Sequence, residues 1–204
     1  MKVGVLVSGQ GTNLQALLDA QAQGKLTPAS LAVVISNKPD AAALSRARAS
    51  DVPTVVIEHG TDRVAFEDKL LAACAEHEVE LVVLAGFMRV LTAHFVDKWP
   101  ERIINTHPSL LPAFAGPNAT EQAIAHGVKV SGMTIHFVDG SLDGGPIIAQ
   151  EPVPIFEGDD ANALHARIQM REHQMLPEVV RDLAAGLLSC QGRLVVRKGK
   201  GAQQ

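Results

Sequence analysis

Two polar side chains, Asn105 and His107, stand at the end of the short apolar segment RIINTH, directly before Pro108. In a strand, residues two apart project to the same face, so the amide and the imidazole would lie side by side. An amide is a neutral donor and acceptor, whereas an imidazole donates to an oxyanion or passes a proton. The pair therefore suits a carbonyl that becomes tetrahedral during acyl transfer. A turn-capping Asn105 with a buried structural His107 is the alternative that the pattern leaves open.

A third polar group, Asp143, lies in the glycine-rich segment DGSLDGGPI. The two glycines that follow it, Gly144 and Gly145, allow the backbone to approach a ligand closely. A loop carboxylate near an imidazole favours the charged form of the ring and is also able to accept a proton. Taken alone, an aspartate in such a segment is more often an ordinary turn residue. His136, in MTIHFV, could also lie behind His107.

The segment SGQGTN, residues 8–13, follows the first apolar run and leads into a helical pattern. Gly9 and Gly11 permit a tight turn, and the free N–H groups of a helix N-terminus bind phosphate. The dinucleotide signature is missing, because Leu14 replaces its third glycine and residues 36–38 read Ser-Asn-Lys where an acidic residue would hold a ribose. We therefore expect a single phosphate on a small substrate rather than NAD. A turn without a ligand is the alternative.

The surrounding elements predict an α/β fold with a doubly wound, mostly parallel sheet flanked by helices. Runs rich in Val, Ile and Leu alternate with helical stretches; the runs are KVGVLVS, LAVVISN, PTVVIE and LVVLAGFM. Strands that are apolar throughout are typical of a sheet covered on both faces. Ligand sites in such sheets lie at the carboxyl ends of the strands, which is where Asn105 and His107 would stand.

The C-terminal half has a different pattern of predicted strands and helices. The segments GMTIHFVD and IIAQEPVPIF look like two strands that reverse direction through GSLDGG, an antiparallel element near the C-terminal end. A long helical stretch follows, with a kink expected at Pro177. We predict one domain over residues 1–185, and a terminal strand or tail over residues 186–204, whose end, VVRKGKGAQQ, frays.

One charged residue interrupts the apolar stripe of the long helix. Glu172 lies on or near the same stripe as Leu164, Ile168, Leu176 and Leu183. A carboxylate that faces the body of a protein is costly unless it has partners. Ribose hydroxyls would be suitable partners, and an arginine or a backbone group inside the fold is the alternative.

Composition excludes several classes of function. The net charge is -4, aromatic residues make up 3% of the chain and tyrosine is absent, so we expect no nucleic-acid partner. No segment approaches the roughly 20 apolar residues that span a bilayer. Cys74 and Cys190 match no metal-ligand spacing, and two isolated cysteines fit a reducing compartment. We expect a soluble, cytoplasmic protein that needs no metal.

Seven segments in this order and spacing resemble the phosphoribosylglycinamide formyltransferases, the glycinamide ribonucleotide branch of the folate-dependent formyltransferase superfamily: SGQGTNLQALL, SNKPDA, LAGFMRVL, INTHPSLLPAFAG, GMTIHFV, LDGGPIIAQ and REHQMLP. HPSLLP with a downstream DGGPI marks the superfamily, and GQGTN narrows the resemblance to that branch. The resemblance implies a Rossmann-like N-terminal half. It also implies formyl transfer from 10-formyltetrahydrofolate to the amine of glycinamide ribonucleotide, in purine biosynthesis.

The resemblance also implies roles for particular residues. The catalytic positions correspond to Asn105, His107 and Asp143, and the ribonucleotide positions to Gly11, Thr12, Asn13 and Glu172. The folate pocket corresponds to Met88, Arg89, Val90 and Leu91, and to the loop from Val138 through Asp139 to Asp143. Arg63 stands where the family can meet the glutamate tail of the folate.

The chain departs from the family pattern at AFAGPNAT, where Asn118 stands in place of a usual histidine. A hydrolase that releases formate from the same folate is one alternative function; by the family resemblance it carries an extra N-terminal domain, and this chain begins at its first strand. A non-catalytic nucleotide-binding module is another. We expect the protein to be a monomer or a weak homodimer with small-molecule partners.

Overall fold

The computed structural model describes residues 1–198, which form one nine-stranded sheet flanked by six helices. The strands are β1 Lys2–Val7, β2 Ser30–Ser36, β3 Thr54–Val56, β4 Leu81–Leu84, β5 Ile103–His107, β6 Val130–Phe137, β7 Ile147–Pro154, β8 Leu188–Gln191 and β9 Leu194–Arg197. The helices are α1 Thr12–Ala22, α2 Ala42–Ala49, α3 Arg63–Glu76, α4 Ala93–Val96, α5 Ala119–Ala125 and α6 Ala161–Ala184.

The strand order is β3-β2-β1-β4-β5-β6-β7-β9-β8. Strands β1 to β5 pair in parallel, whereas β6 is antiparallel to both β5 and β7. The predicted α/β sheet and its antiparallel element near the C-terminal end are therefore confirmed. Strands β2 and β3 lie on one side of β1, whereas β4 and β5, which come later in the chain, lie on the other. The strand order therefore reverses at β1, and a crevice opens at the carboxyl ends of β1, β4 and β5.

The strands are buried because apolar side chains cover both of their faces. Along β1, Val5 and Val7 belong to one buried cluster, while the intervening Leu6 belongs to the other. The first cluster also contains apolar residues of α1 and α6, and the second contains apolar residues of α3 and α4. Helices thus cover the two faces of the sheet, as the continuously apolar strands predict.

Helix α6 is the longest element, with 24 residues. It begins where the Asp160 side chain accepts a hydrogen bond from the Ala163 backbone N–H, and it continues through Pro177. Its buried face includes Leu164, Ile168 and, among these apolar residues, Glu172. The apolar stripe read from the sequence therefore faces the sheet, and it carries a carboxylate inward with it.

The C-terminal residues form a hairpin at the edge of the sheet. β8 and β9 pair antiparallel, and β9 joins the sheet through Ile147 of β7 and its own Leu194. Residues 195–197 belong to β9 and pair with β8, so the strand of the predicted strand or tail includes the first residues of VVRKGKGAQQ. Residues 199–204 lie outside the described part. Within residues 1–198, every helix is too short or too polar to cross a membrane.

Candidate active site

The carboxyl end of β5 carries the amide and imidazole singled out in the sequence. Asn105 pairs with His136 across the β5–β6 ladder, and His107 pairs with Thr134. Asn105 and His107 project to the same side because they are two residues apart. The strand ends at His107, which is buried, while Asn105 lines one of the two cavities at this end of the sheet.

His107 is buried, and both of its ring nitrogens face oxygen atoms. Nε2 lies 2.9 Å from the carbonyl oxygen of Phe114, and Nδ1 lies 3.4 Å from Oδ2 of Asp143. A carbonyl oxygen only accepts, so Nε2 must carry a hydrogen and donate it to Phe114. The tautomer is thereby fixed, and Nδ1 is the nitrogen that faces the carboxylate and any reacting group beside it.

Asp143 reaches this position through a strained loop between β6 and β7. Its backbone has a φ of 51°, in the left-handed region, and its Oδ2 accepts a hydrogen bond of 2.8 Å from the Gly116 N–H. A Cβ on Gly145 would lie 1.9 Å from the Phe137 carbonyl oxygen, so only glycine permits this close approach. The loop after β6 and the loop after β5 therefore meet at Asp143.

His136 completes the cluster and was not assigned a role from the sequence. Its Nδ1 lies 2.9 Å from the Phe137 carbonyl oxygen, so that nitrogen donates. Its Nε2 lies 3.3 Å from Nδ2 of Asn105 and 3.7 Å from Oδ1 of Asp143. Burial lowers the pKa of His136, which favours the neutral ring. A neutral Nε2 accepts from the Asn105 amide, so His136 lies against Asn105.

The glycine turn after β1 ends at Gly11, the N-cap of α1, with a φ of 70°. A Cβ there would lie 2.6 Å from Cβ of Ala43 in α2, so the turn requires glycine for space as well as conformation. The Asp62 side chain caps α3 and the Asp160 side chain caps α6, but α1 has no side-chain cap and no acidic residue in its first turn. Among the described residues, no side chain therefore accepts a capping hydrogen bond from the first N–H groups of α1.

Asn13 and Glu172 form a buried pair next to this turn. Asn13 Nδ2 donates to Oε2 of Glu172 at 2.9 Å and lies 3.2 Å from Oγ1 of Thr106, while its Oδ1 is buried without a partner. Burial raises the pKa of the Glu172 carboxyl group. The partner of Glu172 is therefore a side-chain amide from α1, not an arginine or a backbone group. Both residues line a cavity of about 470 Å³ that also contains Gly11 and Thr12.

A second cavity, of about 360 Å³, lies on the other side of the β5 terminus. Its lining includes the predicted folate residues Met88, Arg89, Val90, Leu91, Val138, Asp139 and Asp143, together with Asn105 and His136. Met88 is 72% exposed and Val90 is 64% exposed, so this wall presents apolar side chains to solvent. Such exposed apolar groups are typical of a surface that a ligand covers.

Two buried polar residues hold the loop that carries Met88 and Val90. The Ser8 hydroxyl accepts a hydrogen bond of 2.8 Å from the Met88 N–H and donates to Oδ1 of Asn37. The Glu67 carboxylate accepts hydrogen bonds from both the N–H and the hydroxyl of Thr92. Neither contact is apparent from the sequence, because each joins segments more than 20 residues apart.

Two residues singled out in the sequence lie apart from this cluster. Arg63 is the exposed first residue of α3 and lines neither cavity. Asn118 is the N-cap of α5, with a φ of 59°, and its neighbour Pro117 lines the second cavity while Asn118 does not. Among the described residues, no group of three or more His, Cys, Asp or Glu side chains is arranged to hold a metal ion.

This fold is matched by a known class of proteins. Residues 1–180 match the family described as formyl transferase. The match covers most of the chain, and the chain therefore belongs to the formyl transferase family.

Individual relatives sharpen this assignment. The chain is similar to the crystal structure of glycinamide ribonucleotide transformylase 1 from Symbiobacterium toebii, with 45% identity, a TM-score of 0.94 and coverage of 97% of this chain and 93% of that one. It is 40% identical to phosphoribosylglycinamide formyltransferase of Haemophilus influenzae, over 98% of this chain and 94% of that protein. It is also 43% identical to the trifunctional purine biosynthetic protein adenosine-3 of Homo sapiens, of which it spans only 18%.

Proposed function

We propose that this protein transfers the formyl group of 10-formyltetrahydrofolate to the amine of glycinamide ribonucleotide. The observation that carries the proposal is the arrangement of the two cavities around the end of β5. Asn105 lines the cavity with the exposed apolar wall, the next residue, Thr106, lines the polar cavity, and Met88 lines both. Two substrates that occupy these cavities would meet beside Asn105, His107 and Asp143.

The polar cavity suits the ribonucleotide. The uncapped N-terminus of α1, at Gly11, Thr12 and Asn13, would hold the phosphate through backbone N–H groups. Ribose hydroxyls both donate and accept, so they would pair with the Glu172 carboxyl group and with the unpartnered Oδ1 of Asn13. Burying these two polar groups costs free energy, and hydrogen bonds to the bound ribose would offset that cost.

The apolar cavity suits the ring system of the folate. Met88, Val90 and Leu91 would contact its faces, and the backbone between Val138 and Asp143 would bond to its polar edge. Arg89 contributes the positive charge of this wall. We retain Arg63 as a contact for the glutamate tail, since it is exposed and a long flexible tail reaches beyond the cavity.

The chemistry follows from the placement of the three polar groups. The amine nitrogen of the ribonucleotide attacks the formyl carbon, and the carbonyl electron pair moves onto the formyl oxygen. A free N–H of the Asn105 amide and a protonated Nδ1 of His107 would donate to this oxyanion. Asp143 would accept the proton that the amine nitrogen loses, directly or through a water molecule. The bond to the folate N10 then breaks, N10 takes up a proton, and the products are the formamide and tetrahydrofolate.

The distances in the cluster are compatible with these roles. The separations of 3.4 Å and 3.7 Å from the Asp143 oxygens to the two histidines are at or beyond the limit of a direct hydrogen bond. Catalytic hydrogen bonds are often long until substrates are bound, and the same space admits a reacting atom. Because Nε2 already donates to Phe114, Nδ1 is the nitrogen left to face the reacting group, and it donates when the ring is protonated at both nitrogens.

One assay tests the proposal and its alternatives. The protein is mixed with formylated folate, with and without glycinamide ribonucleotide, and tetrahydrofolate, formate and the formylated ribonucleotide are each quantified. We expect loss of the formyl group only when the ribonucleotide is present, with an equal amount of formylated product. Formate release without ribonucleotide would indicate the hydrolase instead, and binding of both ligands without turnover would indicate a binding module.

A further inference from the structure

Arg46, on α2, is a cation beside the glycine turn that the proposed function does not use. Its Nε donates to the carbonyl oxygen of Gln10 at 2.9 Å, and its Nη1 donates to Oε1 of Gln15 at 3.1 Å. Within residues 1–198, no carboxylate forms an ion pair with Arg46. A guanidinium that bonds only to neutral oxygens keeps its full charge for an anion.

Helix α2 holds the whole turn, not only Gln10. The Ala43 N–H donates to the carbonyl oxygen of Gly9 at 3.1 Å, and Gly11 lies directly against Ala43. Together with the contact from Arg46 to Gln10, three consecutive turn residues are therefore fixed by one helix. The conformation of the turn depends on α2 as much as on its own glycines.

The hydrogen bond from Arg46 acts on the peptide group that joins Gln10 and Gly11. A peptide that accepts at its oxygen becomes a stronger donor at its nitrogen, and this nitrogen belongs to Gly11. Arg46 lines a cavity of about 550 Å³ that shares Thr12 with the polar cavity and also contains the carboxylates of Asp19 and Glu178. His173 lines the same cavity, and its Nε2 atom has no hydrogen-bond partner among the described residues.

We propose that Arg46 is a positioning and specificity residue for the phosphate of the substrate. It fixes the Gln10–Gly11 peptide so that the Gly11 N–H donates to the phosphate, and its charge favours a phosphorylated substrate over the same molecule without phosphate. This inference rests on the proposed function, and it adds to that function the residue by which a phosphate ester is distinguished.

The test compares Arg46→Gln and Arg46→Lys with a control variant, Arg48→Gln. Arg48 is two residues away on the same helix, is exposed, and bonds to Thr54 instead of the turn. We expect Arg46→Gln to raise the KM for glycinamide ribonucleotide about 10- to 100-fold, the range for a lost charge-assisted hydrogen bond. The kcat and the KM for the formyl folate should stay within about twofold. The phosphate is held equally in the bound substrate and in the transition state, so losing this contact weakens binding without slowing the chemical step. Arg46→Lys should lie between Arg46→Gln and the wild type, and Arg48→Gln should match the wild type.

A second substrate separates recognition from general damage to the fold. Glycinamide riboside, which lacks the phosphate, should react with Arg46→Gln and with the wild type at equal kcat/KM. Equal losses on both substrates, or an unchanged KM for the ribonucleotide, would overturn the proposal. If Arg46→Gln lowers the Tm, the more conservative Arg46→Lys carries the same comparison. A wild-type protein that transfers no formyl group refutes the proposed function, whereas an active wild type with an unaffected Arg46→Gln variant refutes only the role of Arg46.

Discussion

The two cavities beside β5 are built in different ways. The polar cavity is formed by regular elements, namely the N-terminus of α1 and the buried face of α6 that carries Glu172. The apolar cavity is formed mainly by two loops, residues 85–92 and residues 138–145, which expose the side chains of Met88, Val90 and Leu142. The first cavity is anchored by the core of the fold, and the second is anchored by a few buried hydrogen bonds from Ser8 and Glu67.

This difference assigns separate tasks to the two regions. A phosphate and a ribose need charge and donors at fixed positions, and helices supply them because their backbone is rigid. A flat apolar ring system needs contact area, which loops with exposed apolar side chains supply. We therefore expect changes in the polar cavity to act on ribonucleotide binding alone, and changes in the apolar cavity to act on folate binding alone. Changes between the two cavities should act on turnover.

The largest effect on turnover is expected from substitutions of the polar residues that lie between the two cavities. Asn105→Ala removes a donor to the oxyanion, and Asp143→Asn removes the proton acceptor, so each should lower kcat about 100- to 1000-fold or more. Binding of the ribonucleotide, measured by calorimetry, should remain within about threefold of the wild type. Asp97→Asn makes the same substitution at an exposed position after α4 and should leave turnover unchanged. Near-normal kcat in either active-site variant would contradict the assignment.

The next largest effect is expected from substitution of Glu172, which should weaken ribonucleotide binding but stabilise the fold. Its pKa is raised in the folded protein by burial, so the fold binds its proton more tightly than the unfolded chain does. The stability that this carboxyl group contributes is therefore fully present below the pKa that it has in the unfolded chain. It is lost as the pH rises through the pKa that it has in the folded protein.

Glu172→Gln keeps an oxygen that can accept from Asn13 but removes the buried charge. We expect the variant to raise Tm at pH 7.5, by about 2–4 °C for each kcal/mol recovered, and to raise it less at pH 4.5. The KM for the ribonucleotide should rise about tenfold, because a charged acceptor for the ribose is lost. Thermal unfolding at the two pH values and steady-state kinetics provide the measurements, and a Tm gain independent of pH would contradict the burial argument.

A smaller effect is expected in the apolar cavity. Val90→Ser replaces an exposed apolar contact by a polar one, so the KM for the formyl folate should rise about three- to tenfold, in line with one or two buried methyl groups. The KM for the ribonucleotide should not change. Val130→Ser, at an exposed position outside both cavities, is the matched control. An equal rise in both KM values would show that the two cavities are not independent.

The smallest effect concerns the C-terminal hairpin, which lies beyond the residues that match the family. Arg193, in the turn between β8 and β9, donates through Nη2 to the carbonyl oxygen of Gly144 at 2.8 Å, next to Asp143. Arg193→Ala should lower kcat about two- to fivefold, because an exposed hydrogen bond contributes little and its loss only loosens the loop. Arg193→Lys keeps a donor and should recover most of the loss. A kcat equal to the wild type in Arg193→Ala would show that the hairpin does not support the loop.

Several parts of the candidate site could be predicted from the sequence because periodic patterns define them. A spacing of two on a strand places Asn105 and His107 together, and a spacing of four on a helix places Glu172 inward. The glycine spacing predicts the turn before α1. In each case one local element determines the direction of the side chain, and the apolar pattern determines which side of that element is buried.

The remaining contacts could not be predicted, because they join distant segments through loops. The position of Asp143 depends on a left-handed backbone and on the fit of Gly145 against Phe137, neither of which leaves a periodic signal. The contact between His136 and Asn105 depends on the exact strand register, and the contact from Arg46 depends on how α2 packs against the turn. The terminal hairpin is short and half polar, so its sequence resembles a tail.

The contact between Gly11 and Ala43 also limits how this protein can change over generations. A methyl group added at either position would push the other segment away, since a Cβ at residue 11 would meet Ala43 at 2.6 Å. Because residue 11 also has a φ of 70°, a smaller residue at position 43 would relieve the clash but not the backbone strain. We expect position 11 to stay glycine and position 43 to stay small in any lineage that keeps this turn.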